Sequence, residues 1–241
     1  LLTPIFGPDL LERGEEYARM AIEGLVLLAT DARFLAFYRD YGVRVRFYGD
    51  YRRFFARTAY DYVSGIFDEA TARTASHSRH RLFFGVCAHD AAETVGELAV
   101  KYHTEYGSLP DKKMLVQMYY GEYVDPVSLF IGFDKPCAFD MPLVATGSED
   151  VYFTVCPSPY LSPRQLRAIL HDHLYSRRTS DVDYESLGAG EWQAMNEFYR
   201  ANVDNTLGVG TRVGQIWYPL PQVARLPGSS TVVSVSEKEK G

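Results

Sequence analysis

The chain predicts an α/β fold, a single domain in which a largely parallel central sheet is flanked by helices. Three observations carry that expectation. Short, almost wholly apolar runs of strand length, His80–Cys87, Leu129–Phe133 and Val151–Val155, alternate with longer stretches of helical periodicity. Strands that are apolar along their whole length are buried on both faces, which is how a parallel sheet covered by helices on each side reads. The 241 residues are 46% hydrophobic, enough to bury a full core.

The elements follow in order. Leu1 to Phe6 reads as a buried strand, and a chain that opens inside its sheet implies a missing N-terminal segment. Pro8-Asp9 starts a long first helix, with Asp9 as its N-cap and Leu10, Tyr17, Met20, Ala21, Gly24, Leu25 and Leu28 at helical spacing. A second helix runs from Asp31 to about Tyr41. Val43-Arg44-Val45-Arg46-Phe47-Tyr48 alternates apolar and charged residues and reads as a strand that ends in the turn Gly49-Asp50. A helical or irregular stretch leads to Ser78, and the apolar strand 80–87 is followed by a helix from about Asp90 to Tyr106. Pro110 begins another helix, which ends near Tyr119-Tyr120-Gly121. After the strands 129–133 and 151–155, Ser162-Pro163 opens a helix to about Arg178, with Ser as cap and Pro in the first turn. The domain spans 1–219, and residues 220–241, rich in Pro, Gly, Ser and charge, read as a flexible tail.

Composition narrows the function. A net charge of -6 opposes general nucleic-acid binding, which needs a basic surface. No apolar run is long enough to span a bilayer and no signal-peptide pattern is present. Cys87, Cys137 and Cys156 lack metal-ligand spacing and read as reduced thiols of a cytoplasmic protein. His171 and His173 are two residues apart on a helix and so point to different faces. Gly208-Val209-Gly210 has no preceding strand and is a turn rather than a nucleotide fingerprint. No Asp-Asp-x-x-Asp run supports a helical terpene synthase, and no Asp-x-Asp-Asp supports a protonating cyclase.

The strand ending Gly49-Asp50-Tyr51-Arg52-Arg53-Phe54, with the late strand Val151-Tyr152-Phe153-Thr154, resembles the cis-prenyltransferase family, related to undecaprenyl diphosphate synthase. Asp9-Leu10-Leu11-Glu12-Arg13-Gly14 and the unusual run Tyr119-Tyr120-Gly121-Glu122-Tyr123-Val124-Asp125 are similar to a small bacterial branch of that family, the branch of tuberculosinyl adenosine transfer and kolavelool formation. The resemblance implies an apolar tunnel walled by two helices, a Mg²⁺ cofactor, a homodimer and an isoprenoid diphosphate substrate. It also implies that the main phosphate loop, with the principal metal-binding Asp, precedes Leu1. Where chain-elongating members hold isopentenyl diphosphate with arginines, this chain has Ile131-Gly132-Phe133-Asp134-Lys135-Pro136-Cys137, without an Arg.

The expected activity is therefore ionisation of a preformed bicyclic C20 diphosphate, kolavenyl diphosphate favoured, with water trapping the carbocation to give an alcohol such as kolavelool. Adenosine transfer is the alternative enzyme, and a non-catalytic cis-prenyltransferase subunit the alternative from another class. By resemblance Arg13 binds the substrate diphosphate, Tyr17 orients water or shields the cation, Asp150 is a metal ligand and Trp217 closes the substrate pocket. From the residues alone Arg13 can equally pair with Glu12 or Glu16, Asp150 can be a solvated turn acid, and Trp217 an aromatic anchor.

Overall fold

The computed structural model describes residues 1–88, 91–133, 136, 141–177 and 185–219. Over these residues the contacts divide into two compact units, Leu1–Val127 with Phe139–Glu149, and Ser128–Ala138 with Asp150–Gly241.

The first unit holds a parallel sheet in the order β1-β3-β2, from β1 (Leu2–Phe6), β2 (Val43–Tyr48) and β3 (His80–Val86). Between β1 and β2 lie a 3-10 turn (Pro8–Arg13), α1 (Glu15–Thr30) and α2 (Ala32–Asp40). The short α3 (Tyr51–Phe55) and α4 (Val63–Arg73) connect β2 to β3, and α5 (Ala92–Tyr106) and α6 (Lys112–Tyr120) follow. The alternation along β2 separates two layers. Val43, Val45 and Phe47 enter the main core with Ile22, Leu25, Phe55 and Phe67, and the Phe47 and Phe67 rings stack at 3.8 Å. Tyr48 faces the other way, against Tyr119 and Tyr120 of α6. Helices thus cover both faces of the sheet.

The long first helix predicted from Asp9 is divided. Pro8 to Arg13 forms the 3-10 turn, and Gly14, at φ +97°, breaks it from α1. Asp9 does not cap the helix; Gly7 occupies the N-cap position and the Asp9 carboxylate turns to Arg13 instead. At two other boundaries aspartates that the sequence reading did not single out form the caps, and α6 starts at Lys112 rather than Pro110. Asp31 caps α2 by accepting from Arg33 N, and Asp111 caps α6 by accepting from Met114 N.

The second unit contains the parallel pair β4 (Leu129–Phe133) and β5 (Asp150–Thr154), and the antiparallel hairpin β6 (Gly210–Val213) and β7 (Ile216–Pro219). Helix α7 (Pro163–His171) starts in a capping box in which Ser162 and Gln165 satisfy each other's backbone N–H. It continues as a π-helical turn over Asp172–Ser176. Helix α8 (Ala189–Ala201) and the hairpin lie beyond the last element read from the sequence. The predicted tail falls outside the described residues.

Because β2 is an edge strand, its outward N–H groups need another acceptor. Thr74, 2% exposed at the end of α4, supplies one: its hydroxyl accepts from Val45 N at 3.0 Å and donates to Ala70 O at 3.0 Å. Thr74→Val keeps the shape but orphans the buried Val45 N–H. Urea unfolding should show a loss of about 1–3 kcal/mol, against an unchanged midpoint if Thr74 only fills space.

Candidate active site

In open parallel sheets ligands gather outside the carboxyl ends of the strands. Here those ends are stitched together by backbone: Cys87 N donates to Phe6 O at 2.8 Å, and Asp50 N donates to Cys87 O at 3.1 Å. Gly49 makes the approach possible. Its φ is +101°, and a Cβ there would lie 2.3 Å from Val86 O, so no other residue fits. The Asp50 carboxylate accepts from the Thr94 hydroxyl at 2.6 Å, tying the end of β2 to the start of α5. Asp50 is thus a structural acceptor, as its turn position suggests. The Cys87 thiol is pushed up to about 12, mainly by burial, with Asp50 and Asp9 adding to the effect, so it stays protonated and unreactive.

Onto this edge the turn after β1 delivers a small polar cluster. Arg13 donates from Nε (2.9 Å) and Nη2 (2.6 Å) to Asp9 Oδ2, and from Nη1 (3.1 Å) to the Tyr17 hydroxyl. Its guanidinium carbon lies 5.4 Å from the centre of the Tyr17 ring, which meets Phe6 edge-on. The bonds to Asp9 and then to Tyr17 raise the Arg13 pKa further, so the cation is permanent. Arg13 pairs with Asp9, not with Glu12 or Glu16. Its side chain is half exposed, which leaves N–H donors for a solvent-borne anion. Sequence reading placed Arg13 and Tyr17 together and missed Asp9 as their anchor, although the Asp-x-x-x-Arg spacing carries that signal.

The other two candidates belong to the second unit. Asp150, at the start of β5, lies in a charged cluster: His173 Nδ1 is 2.6 Å from its Oδ2, and Arg177 Nη1 is 3.5 Å from its Oδ1. His173 is 6% exposed. Arg177 also donates to Asp172 Oδ2 (2.7 Å) and stacks 4.4 Å over the Tyr152 ring, while the Tyr152 hydroxyl donates to the same oxygen at 2.6 Å. The π-helical turn makes this possible by bringing Asp172 and Arg177, five residues apart, onto one face. The sequence showed His173 only as one of two mismatched histidines; a π turn leaves no mark in helical periodicity. Trp217 lies in β7 opposite Arg212, with its indole where a Gly210 Cβ would stand, so the absence of a side chain at Gly210 makes room for it.

Mg²⁺ can be tested against these groups. Among the described residues no three His, Cys, Asp or Glu side chains converge as a metal site. Asp150 directs one oxygen to His173 and the other to Arg177, a donor and a cation, so its surroundings do not suit a divalent ion. The described residues by themselves therefore do not fit the metal. Of the arginine-free stretch, Ile131, Gly132 and Phe133 lie in β4, and 134, 135 and 137 lie outside the described residues.

The fold defines the class, an α/β protein with a helix-covered parallel sheet whose carboxyl edge carries an arginine fixed beside an aromatic hydroxyl. No family model matches the chain. It is 41% identical over 220 residues to the tuberculosinyl adenosine transferase of Mycobacterium tuberculosis (strain CDC 1551 / Oshkosh), covering 90% of this chain and 74% of that protein. It is 29% identical over 110 residues to the (+)-kolavelool synthase of Herpetosiphon aurantiacus, covering 45% of this chain and 37% of that one. In fold it is similar to a probable undecaprenyl diphosphate synthase from Campylobacter jejuni, with a TM-score of 0.60 at 17% identity over 76% of this chain and 82% of that one. Lavandulyl diphosphate synthase from Lavandula x intermedia gives 0.52 at 16% identity, over 72% of this chain and 75% of that one. The chain belongs to the cis-prenyltransferase family, in the group that contains the tuberculosinyl adenosine transferase.

The Asp150 cluster makes acid sensitivity checkable. The bond from His173, and then Arg177, holds the Asp150 carboxyl below the ordinary range; the Tyr152 hydroxyl and Arg177 do the same for Asp172. Carboxyls depressed in the folded state contribute stability that is present above their unfolded value, about 4, and lost as pH falls through the folded one. Wild-type stability should therefore drop as pH falls below about 4, and Asp150→Asn should drop less between pH 6 and pH 3 by urea titration. Equal slopes for the two proteins would show that Asp150 is not held in this way.

Proposed function

We propose that this protein is a diphosphate-releasing diterpene enzyme that ionises a preformed bicyclic C20 diphosphate and passes the cation to a nucleophile. The observation that carries this reading is the 41% identity to the tuberculosinyl adenosine transferase over 90% of the chain. That relationship makes tuberculosinyl diphosphate with adenosine as acceptor the first substrate pair to try. Kolavenyl diphosphate with water is the second reading, favoured by the 110-residue likeness to the kolavelool synthase.

The chemistry asked of the chain's own residues is simple. The allylic C–O bond breaks with its electron pair going to the diphosphate oxygen. Arg13, fixed by Asp9, offers its remaining N–H donors to that departing anion as its charge develops. The cation then bonds to the acceptor oxygen or nitrogen, which loses its proton. Tyr17, whose oxygen already accepts from Arg13, has its own O–H left to orient the acceptor, and its ring face can stabilise the cation. Exposed apolar positions continue from Tyr17 along α1 through Met20 and Leu27. That stripe spans about 15 Å at 1.5 Å per residue, a length suited to a C20 skeleton as one wall of an apolar tunnel. Asp150, held between His173 and Arg177, is not kept as a metal ligand in this reading, and no step is drawn through Mg²⁺. The working form is proposed to be a homodimer.

The test is product analysis of the purified full-length protein with Mg²⁺. Tuberculosinyl or kolavenyl diphosphate, with and without adenosine, should give a C20 adenosine adduct or a C20 alcohol. Added isopentenyl diphosphate should change nothing, because the stretch from Ile131 to Cys137 has no arginine to hold it. Products of C25 or longer would overturn the reading, and so would no turnover of either diphosphate.

Site variants read the two roles separately. Arg13→Ala should lower turnover about 10²-fold or more, the scale for one lost charge-stabilising donor. Tyr17→Phe removes only the hydroxyl and Tyr17→Ala also the ring, so loss in the first marks an orienting hydroxyl and loss in the second alone marks the ring. Wild-type turnover in both alanine variants would place the chemistry elsewhere.

A further inference from the structure

The distinctive run Tyr119 to Asp125 has a place in the fold but none in the reaction. Its Glu122, only 16% exposed, meets three arginines on the helix-α6 side of the sheet: Arg44 Nη2 at 3.1 Å, Arg46 Nε at 2.9 Å and Arg81 Nη1 at 3.4 Å. Arg81 also donates to Tyr123 O at 2.9 Å, and Asp125, which is largely exposed, lies 3.9 Å from its Nη2. Gly121 ends α6 with φ +78°, and Arg46 Nη1 stands 3.1 Å from where its Cβ would be.

Three features of this cluster break ordinary rules of sheet design. Arg44 and Arg81 are direct partners in the β2–β3 register, and like charges placed opposite one another are destabilising. Arg46 extends the same row by two residues, so three guanidiniums share one well-buried carboxylate, and positive charge is left over even with Asp125. Arg44 Nε is buried and meets no acceptor among the described residues. A buried donor without a protein acceptor, inside a positive cluster, is a group that an oxyanion can satisfy. Each guanidinium carries five N–H donors in a planar fork suited to phosphate, and Glu122 occupies few of them.

We propose that Arg44, Arg46 and Arg81 form a binding site for a phosphate oxyanion, with Glu122 holding the arginines in place and competing with the ligand. The site runs from the start to the middle of β2 and the start of β3, on the α6 side of the sheet, while Arg13 and Tyr17 follow the carboxyl end of β1, so it is a second anion site rather than part of the first. It does not depend on the proposed reaction. Two sources supply the same chemistry, free diphosphate and the phosphate of a nucleotide.

The experiment is calorimetric titration of the full-length protein with inorganic phosphate, diphosphate and AMP, with arginine Nε–H NMR to locate the ligand. Saturable binding that shifts the Arg44, Arg46 and Arg81 resonances supports the site. Tighter binding of AMP assigns a nucleotide, and tighter binding of diphosphate assigns the free anion. Arg44→Gln, and the charge-preserving Arg81→Lys, should each weaken binding about 10-fold or more, the value of one charge-assisted bond. Glu122→Gln should tighten it by about 10-fold as a competing charge is removed, and Arg13→Ala should leave these shifts unchanged. Shifts at Arg13 alone, or binding indifferent to Arg44→Gln and Arg81→Lys in folded protein, would overturn the proposal without touching the assignment of the reaction.

Discussion

The backbone bonds at the carboxyl edge of the first sheet are the constraint on which the rest depends. Cys87 N to Phe6 O and Asp50 N to Cys87 O hold the ends of β1, β3 and β2 together. Everything offered to a ligand at this edge hangs from those ends. The turn after β1 carries Asp9, Arg13 and then Tyr17, and Gly49 can make its contact with Val86 O only because it has no side chain. Thr94 bonded to Asp50 brings α5 to the same place. The Cys87 thiol at the centre of the edge is silenced by burial, so cysteine supplies no nucleophile there.

Charge is distributed with some economy in the first unit. At the carboxyl edge one arginine is held by one aspartate and stays half exposed. On the α6 side the balance is different, with three arginines converging on one glutamate that is nearly withdrawn from solvent. Immediately before Glu122, Tyr119 and Tyr120 close helix α6, and their rings pack on Tyr48 and Phe83. One short run therefore sets both the aromatic packing and the electrostatics of that face. This accounts for its unusual composition without giving it a part in bond breaking.

Much of this was legible in the sequence, for identifiable reasons. Alternation in Val43 to Tyr48 fixed which residues enter the core, and Ser162 announced its cap by residue type; Asp111 was passed over because Pro110 beside it reads as a helix start. The Gly49-Asp50 turn was readable because only glycine tolerates that backbone. The break at Gly14 was not read, since Leu10, Tyr17 and Leu25 keep an apolar spacing that a 3-10 turn followed by a helix satisfies as well as one helix does. Helix α8 and the terminal hairpin were missed because α8 buries no residue and the hairpin strands are only four residues each. The Asp150–His173–Arg177 cluster depends on a π turn and on a strand partner distant in sequence, neither of which leaves a local pattern.

The central claim is that the carboxyl edge of β1, β3 and β2 receives the diphosphate through Arg13. The most direct measurement is a crystal structure of the full-length protein with an unreactive thio-diphosphate analogue of the C20 substrate. The account predicts a phosphate oxygen within hydrogen-bond distance of the Arg13 guanidinium, with the first isoprenoid carbons against the Tyr17 ring. An analogue bound with its phosphates away from Arg13, and with Arg13 still closed on Asp9 and Tyr17, would contradict it.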